Sequence, residues 1–104
     1  MGHLYLIRCQ QFVKVGIADD VLNRLSMLQV GSPFTLVLLR DFEVKNAVKM
    51  ERIWHHHLWR YRVRGEWFDL PPMLRDLLIT APSMEDALKV LRSKGDAAIW
   101  LPRQ

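Results

Sequence analysis

Segment 52–64 concentrates side chains that could bind a polyanion. It holds four arginines, three histidines and no acidic residue, whereas the whole 104-residue chain carries a net charge of only +4. A cationic patch of this kind suits nucleic acid, and Arg60, Arg62 and Arg64 are then candidates for phosphate contacts that do not depend on base sequence. A solvated helix face would have the same composition, so both interpretations stay open.

The run His55-His56-His57 raises the question of a zinc site. Consecutive residues of a helix point about 100° apart, so three adjacent histidines do not converge on one ion. The His-x-x-x-His spacing is absent, and the chain has a single cysteine. The sequence therefore disfavours zinc.

Two charged residues border the apolar faces of predicted helices. Arg24 precedes Leu25 and Glu51 follows Met50, and the two apolar residues belong to helical stripes. A functional charge is expected in such a half-buried position, although a snorkelling side chain or a structural ion pair gives the same pattern. His55 follows Glu51 by one turn on the same face, so both can reach one site.

The apolar pattern predicts three strands followed or separated by helices. The strands are expected at residues 3–9, 12–17 and 34–39, and the helices at about 20–30, 46–62, 71–78 and 83–94. The first two strands should form an antiparallel hairpin, and the third should be a buried central strand. Asp19 or Asp20, Asn46 and Ser83 are candidate N-caps. Gly16 indicates either a bulge or a close backbone approach.

This order predicts an α/β fold, an α+β sandwich with a β-β-α-β-α-α core. In it a three-stranded sheet is flanked by helices, and an extra helix follows at the C-terminus. Half of the residues are hydrophobic and a quarter are charged, which excludes intrinsic disorder. The single cysteine, the lack of a signal peptide and the lack of a long apolar run predict a cytoplasmic protein without a membrane partner.

Five short motifs follow one another along residues 3–68. They are His3-Leu4-Tyr5, Lys14-Val15-Gly16, Arg24-Leu25-Ser26-Met27-Leu28-Gln29, Glu51 with His55, and Gly65-Glu66-Trp67-Phe68. In this order they resemble the GIY-YIG endonuclease superfamily, most closely a phage and mobile-element branch with a Lys-Ile-Gly second motif and a Gly-Glu-Trp-Phe box. The resemblance implies a nuclease core over residues 1–70. Residues 71–104 are expected to be a helical extension packed on the same domain.

The resemblance implies a metal-dependent endonuclease that hydrolyses DNA phosphodiester bonds with low intrinsic sequence specificity. Glu51 would hold a single Mg²⁺ or Mn²⁺ ion, a hard cation that suits a carboxylate. Arg24 would bind the phosphate through its planar guanidinium. Tyr5 would position or deprotonate the attacking water, and Lys14 would either contact the phosphate or lower the pKa of Tyr5.

Three further residues have expected roles in the same nuclease site. His55 would bond to Glu51 or meet the phosphate, and Gly16 would let the backbone pass close to the DNA. Glu66 is either a second acidic site residue or a carboxylate that neutralises the neighbouring arginines, and the structural role is favoured.

The alternative is a non-catalytic nucleic-acid-binding domain or a protein-interaction module that retains the same fold. Convergence of Tyr5, Arg24 and Glu51 on one cleft would favour catalysis. The 34 residues of segment 71–104 are too few for a second core. Specificity is therefore expected to be low, or to come from a homodimer or a partner protein.

Overall fold

The computed structural model describes residues 2–95, which form one sheet with helices on both faces. The elements are β1 (Gly2–Cys9), β2 (Phe12–Ala18), α1 (Val21–Val30), β3 (Leu36–Val44), α2 (Ala47–Leu58), β4 (Arg62–Arg64), β5 (Trp67–Phe68), α3 (Pro72–Thr80) and α4 (Met84–Val90). A 3-10 turn, Trp59–Tyr61, follows α2, and a π-helical turn, Leu91–Gly95, follows α4. The part of the predicted extension from 96 to 104 lies outside the described residues.

The sheet has five antiparallel strands in the order β3-β1-β2-β5-β4, so the prediction of three strands is wrong. The two additional strands form a hairpin over residues 62–68, which reverses at Gly65 with a φ of +54°. Strands of three and two residues are too short to show alternation in the sequence. The apolar pattern therefore predicts no strand over residues 62–68.

The third predicted strand forms, but it lies at an edge of the sheet and not at its centre. Of the apolar run 34–39, Leu36 alone is buried, whereas Phe34 and Val37 are 48% and 38% exposed. The strand pairs with β1 on one side only and continues to Val44. A continuous apolar run predicted burial on both faces, but β3 leaves part of that run at the surface.

Alternate residues of β1 supply two separate hydrophobic clusters. Leu4 and Leu6 belong to the larger cluster, which α2, α3 and α4 cover, and Tyr5 and Ile7 belong to the smaller cluster beneath α1. The indole of Trp54, which is fully buried, anchors α2 in the larger cluster. Since α3 and α4 contribute to that same cluster, they share the core of the sheet.

Side-chain caps fix the start of three helices, α1, α2 and α4, as the sequence predicted. Asp20 accepts a hydrogen bond from the backbone N–H of Asn23, at 3.0 Å, and Asn46 accepts one from the N–H of Lys49, at 3.1 Å. Ser83 accepts from the N–H of Asp86 in the same way, at 3.2 Å. These caps set the phase of α1 and α2, and thus the direction in which the side chains of their second turns point.

Candidate active site

The candidate site lies along the edge of β2 that faces away from β1, next to the first residue of β5. β5 pairs with Val13 and Lys14, and the N–H of Val15 donates to the carbonyl oxygen of Glu66 at 3.0 Å. Among residues 2–95, no strand pairs with β2 on this side beyond Val15. Instead α2 packs there, and its His55 contacts the strand. Side chains from α2 and from the sheet therefore meet at this edge.

Gly16 makes room for the hydroxyl group of Tyr5. The two residues are direct partners across the β1–β2 hairpin, and a Cβ atom on Gly16 would lie 2.4 Å from Tyr5 Oη and 3.0 Å from Glu66 Oε1. The β1–β2 register runs without a shift, so the close approach is confirmed and the bulge is not. Within the chain, the group that approaches this glycine is the ring of Tyr5, and an approach of DNA at Gly16 stays a prediction.

Tyr5 is fully buried, and no well-aligned hydrogen bond satisfies its hydroxyl, which lies near the guanidinium of Arg24. Burial raises the pKa of Tyr5 above its usual value of 10.0. Arg24 opposes this shift, first through its interaction with the hydroxyl as a hydrogen-bond donor and then through its charge, while the negative charges of Glu66 and Glu51 add to it. The expected lowering of the Tyr5 pKa by Lys14 is therefore not found in the free protein.

Lys14 instead forms an ion pair with Glu66, with 3.0 Å between Nζ and Oε1. The ammonium group also lies 5.6 Å from the centre of the Trp67 ring. The Glu66 carboxylate thus meets Lys14, a predicted site residue, and its role as a second acidic residue of the site stays a prediction. Its position was missed because it depends on the 62–68 hairpin. The clue in the sequence is that Glu66 lies in the Gly65-Glu66-Trp67-Phe68 motif, because each of the other four motifs contains a predicted site residue.

Glu51 and Glu66 form a pair of interacting carboxyl groups. Burial, and secondarily the charge of Glu66, raise the pKa of Glu51 from 4.5 to about 7, although Lys14 partly opposes the shift. The Oε2 atom of Glu51 is buried and has no hydrogen-bond partner. Near neutral pH the Glu51 carboxyl group is therefore present in both its protonated and its ionised form, and one of its oxygen atoms is available to a ligand.

Arg24 completes the set of charged groups in the site. Its guanidinium is half-buried and donates from Nη1 to the carbonyl oxygen of Ile17 at 3.4 Å. It lies close enough to Tyr5 to influence the pKa of that residue. Tyr5 thus lies close enough to both Arg24 and Glu51 for each of them to influence its pKa, and a shared catalytic role of the three residues stays a prediction.

His55 is close to the site but is held by the backbone. Its Nε2 lies 2.7 Å from the carbonyl oxygen of Val15, and its ring packs 5.1 Å from that of Phe68, centre to centre. Because a carbonyl oxygen can only accept, Nε2 carries the proton in this contact. The observed partner is thus Val15, whereas the sequence predicted Glu51 or the phosphate.

The three arginines predicted to bind phosphate lie on the turn after α2 and on β4. Arg62 donates to the carbonyl oxygen of Gly65 at 2.8 Å, and its guanidinium lies 4.9 Å from the centre of the Trp59 ring. The guanidinium of Arg60 lies 6.0 Å from the ring of Tyr61. Arg64 is exposed and faces Trp67 across the second hairpin.

Residues 2–93 match the family model of the T5orf172 domain. The chain belongs to the T5orf172 domain family. This domain is associated with phages and occurs in homing-endonuclease-like proteins, in agreement with a function related to nucleic acids. The match includes α3 and α4. No curated protein and no solved structure matches the chain. In the part of the chain that the structure describes, no helix has the length and apolarity needed to span a membrane.

The close approach at Gly16 can be tested by substitution. In Gly16→Ala, the new Cβ meets Tyr5 Oη and Cζ, and we expect the free energy of unfolding to fall by about 1–3 kcal/mol. Tyr5→Phe removes Oη, so part of this loss should disappear in the double variant. Urea unfolding of the four proteins measures the coupling, and an equal loss in both backgrounds would contradict the contact.

The raised pKa of Glu51 predicts a pH-dependent stability difference. Because the folded pKa of about 7 exceeds the usual 4.5, the free energy of unfolding should fall as pH rises between these values. Glu51→Gln should match the wild type at pH 4 and exceed it at pH 8, by about 1 kcal/mol after allowance for solvent screening. Urea unfolding in EDTA checks this. Glu43→Gln, which removes an exposed carboxylate from β3, is the control and should show no comparable gain.

Proposed function

We propose that the chain is a metal-dependent endonuclease of the GIY-YIG type, which hydrolyses DNA phosphodiester bonds with low intrinsic sequence specificity. The observation that carries the proposal is the pair of unsatisfied buried oxygen atoms, Tyr5 Oη and Glu51 Oε2, beside Lys14 and Arg24. Each unsatisfied buried group costs about 1–3 kcal/mol, so native structures retain few of them without a functional reason.

The carboxyl groups of Glu51 and Glu66 fit a divalent cation. A cation would bind the Glu51 Oε2 atom, which has no hydrogen-bond partner. It would also offset the burial of this carboxyl group and its repulsion by Glu66, which together raise its pKa. Mg²⁺ and Mn²⁺ accept one or two carboxylates together with water and phosphate oxygens. Within residues 2–95, His, Cys, Asp and Glu side chains form no group of three or more that could hold a metal ion. The proposed ligands are therefore Glu51, the predicted residue, and Glu66. When bound, the ion would stabilise the developing negative charge and the leaving oxygen.

The remaining side chains would bind the substrate and hold protons. Arg24 would bind two phosphate oxygens through its planar guanidinium, and Lys14 would add a second positive charge. Because burial raises the pKa of Tyr5, its hydroxyl is protonated at neutral pH. Tyr5 would therefore donate a hydrogen bond that positions the water or the phosphate, which is the first of its two expected roles.

His55 acts in this proposal as a positioning residue. Its hydrogen bond to Val15 fixes α2 against β2, and Glu51 lies one turn earlier on the same helix. The separation between Glu51 and the residues of the hairpin therefore depends on this contact. No substrate contact is required of His55.

DNA is the proposed partner because the charge of the surface fits it. The exposed Arg62 and Arg64 lie on β4, which belongs to the same sheet as the site. Phosphate contacts from such residues would not depend on base sequence, and binding should weaken as salt concentration rises. Specificity would then come from a second copy of the chain or from a partner protein.

Cleavage of supercoiled plasmid tests the proposed activity. Wild type with Mg²⁺ or Mn²⁺ should nick the plasmid, and EDTA should abolish nicking. Glu51→Gln should lose roughly 100-fold or more in rate, by the usual effect of removing a group that stabilises charge. Glu43→Gln should retain the activity.

Two results would contradict the proposed nuclease function. Salt-sensitive DNA binding without cleavage would support a non-catalytic nucleic-acid-binding domain. If salt-sensitive binding were absent as well, a protein-interaction module would be the better interpretation.

Thermal unfolding tests the metal ligands without any need for activity. A cation that binds only the folded chain stabilises it by mass action, by about 2.7 kcal/mol at a concentration of 100 Kd. Mn²⁺ should therefore raise the Tm of the wild type and of Glu43→Gln but not that of Glu51→Gln. Glu66→Gln should show a smaller rise. Equal rises in all four proteins would exclude Glu51 as a ligand.

A further inference from the structure

A second feature of the same sheet is an open apolar groove of about 250 Å³. Its walls are the side chains of Cys9, Phe12, Val63, Arg64 and Trp67. The lining therefore includes two aromatic rings and one arginine. Val63 is 54% exposed, and Arg64 is exposed as well.

The groove adjoins the proposed active site along β2. Phe12, Lys14 and Gly16 are alternate residues of this strand, so they lie on one face at steps of about 6.6 Å. Phe12 lines the groove, Lys14 pairs with Glu66, and Gly16 adjoins Tyr5. Trp67 joins the two regions, because it lines the groove and also lies 5.6 Å from Lys14 Nζ. A step of this size places the groove next to the phosphate-binding groups.

We propose that this groove receives the unstacked base of a nucleotide adjoining the phosphate that is cleaved. Aromatic rings stack on any nucleobase, so Phe12 and Trp67 would bind the base without reading its identity. Lys14 and Arg64, which are the cross-strand neighbours of Trp67 on β2 and β4, would face the phosphates on either side of that base. The occupant is therefore flat, apolar on its faces and flanked by negative charges.

This inference rests on the proposed nuclease function and specifies its substrate class. A base within an intact duplex is held between its neighbours, and removing it from the stack costs a few kcal/mol. DNA with an unpaired nucleotide beside the cleaved bond would avoid this cost. Single strands, branches and mismatched sites would therefore be preferred over an intact duplex of the same sequence.

Oligonucleotides with an abasic position test the proposal directly. We would measure wild-type cleavage and affinity for a single strand, for its duplex, and for single strands that lack one base at each position near the cleavage site. The intact single strand should be preferred over the duplex. Loss of one base next to the cleaved bond should weaken affinity by roughly 5- to 150-fold, the range observed for base–aromatic stacking. Indifference to every abasic position would overturn the proposal.

A matched pair of surface variants tests whether single-strand binding depends on the groove. Val63→Glu introduces a negative charge into the groove, whereas Val37→Glu makes the same change on β3, at the opposite edge of the sheet. Val63→Glu should weaken single-strand affinity by roughly tenfold or more without a large change in Tm, and Val37→Glu should leave it unchanged. Equal effects of the two variants would overturn the proposal.

The same experiments separate the role of the groove from the nuclease function. If the wild type cleaves paired and unpaired DNA equally well and ignores abasic positions, the groove has no role and the nuclease function stands. If the wild type neither cleaves nor binds any of these oligonucleotides, both proposals are wrong.

Discussion

The backbone of Val15 joins β2, α2 and the 62–68 hairpin, which carry Lys14, Glu51 and Glu66. Its N–H donates to the carbonyl oxygen of Glu66, and its carbonyl oxygen lies 2.7 Å from Nε2 of His55. The first bond places the second hairpin against β2, and the second places α2. Glu66 and Glu51 therefore meet because one residue of the sheet satisfies both of its backbone groups with partners from elsewhere in the chain.

The site combines groups that are individually unfavourable. A buried hydroxyl and a buried carboxylate oxygen lack hydrogen-bond partners, and two carboxyl groups lie close enough to raise the pKa of one of them. The hydrophobic clusters on both faces of the sheet hold this arrangement, since Tyr5 belongs to one cluster and the α2 residue Trp54 to the other. Such a balance is typical of binding and catalytic sites, where stability is exchanged for a poised set of polar groups.

The sequence was most informative where spacing and caps act locally. The helical period and the caps Asp20 and Asn46 predicted α1 and α2 closely enough to place Arg24 and Glu51 at the borders of the apolar faces. The position of Glu66 could not be predicted in this way. It depends on strands of two and three residues, whose pairing is set by β2 and not by their own pattern.

The edge position of β3 and the contact at Gly16 escaped prediction for a related reason. An apolar run does not reveal how many strands lie beside it, so burial of β3 was overestimated from Phe34 to Leu39. The sequence offered two explanations for Gly16, and only tertiary structure shows that the ring of Tyr5 occupies the missing side chain's place. In both cases the deciding neighbour is a different strand, which local patterns do not encode.

The 62–68 hairpin contributes a residue to each of the two proposed sites. Glu66, immediately before β5, faces the carboxylate site, and Trp67, the next residue, lines the apolar groove. Both side chains reach Lys14, Glu66 through an ion pair at 3.0 Å and Trp67 with its ring at 5.6 Å, so this short segment would contact both the reacting phosphate and the adjoining nucleotide in the proposed function. A change in the length of the hairpin would displace both groups together. The geometry thus links where the chain would cut with which nucleotide it would hold.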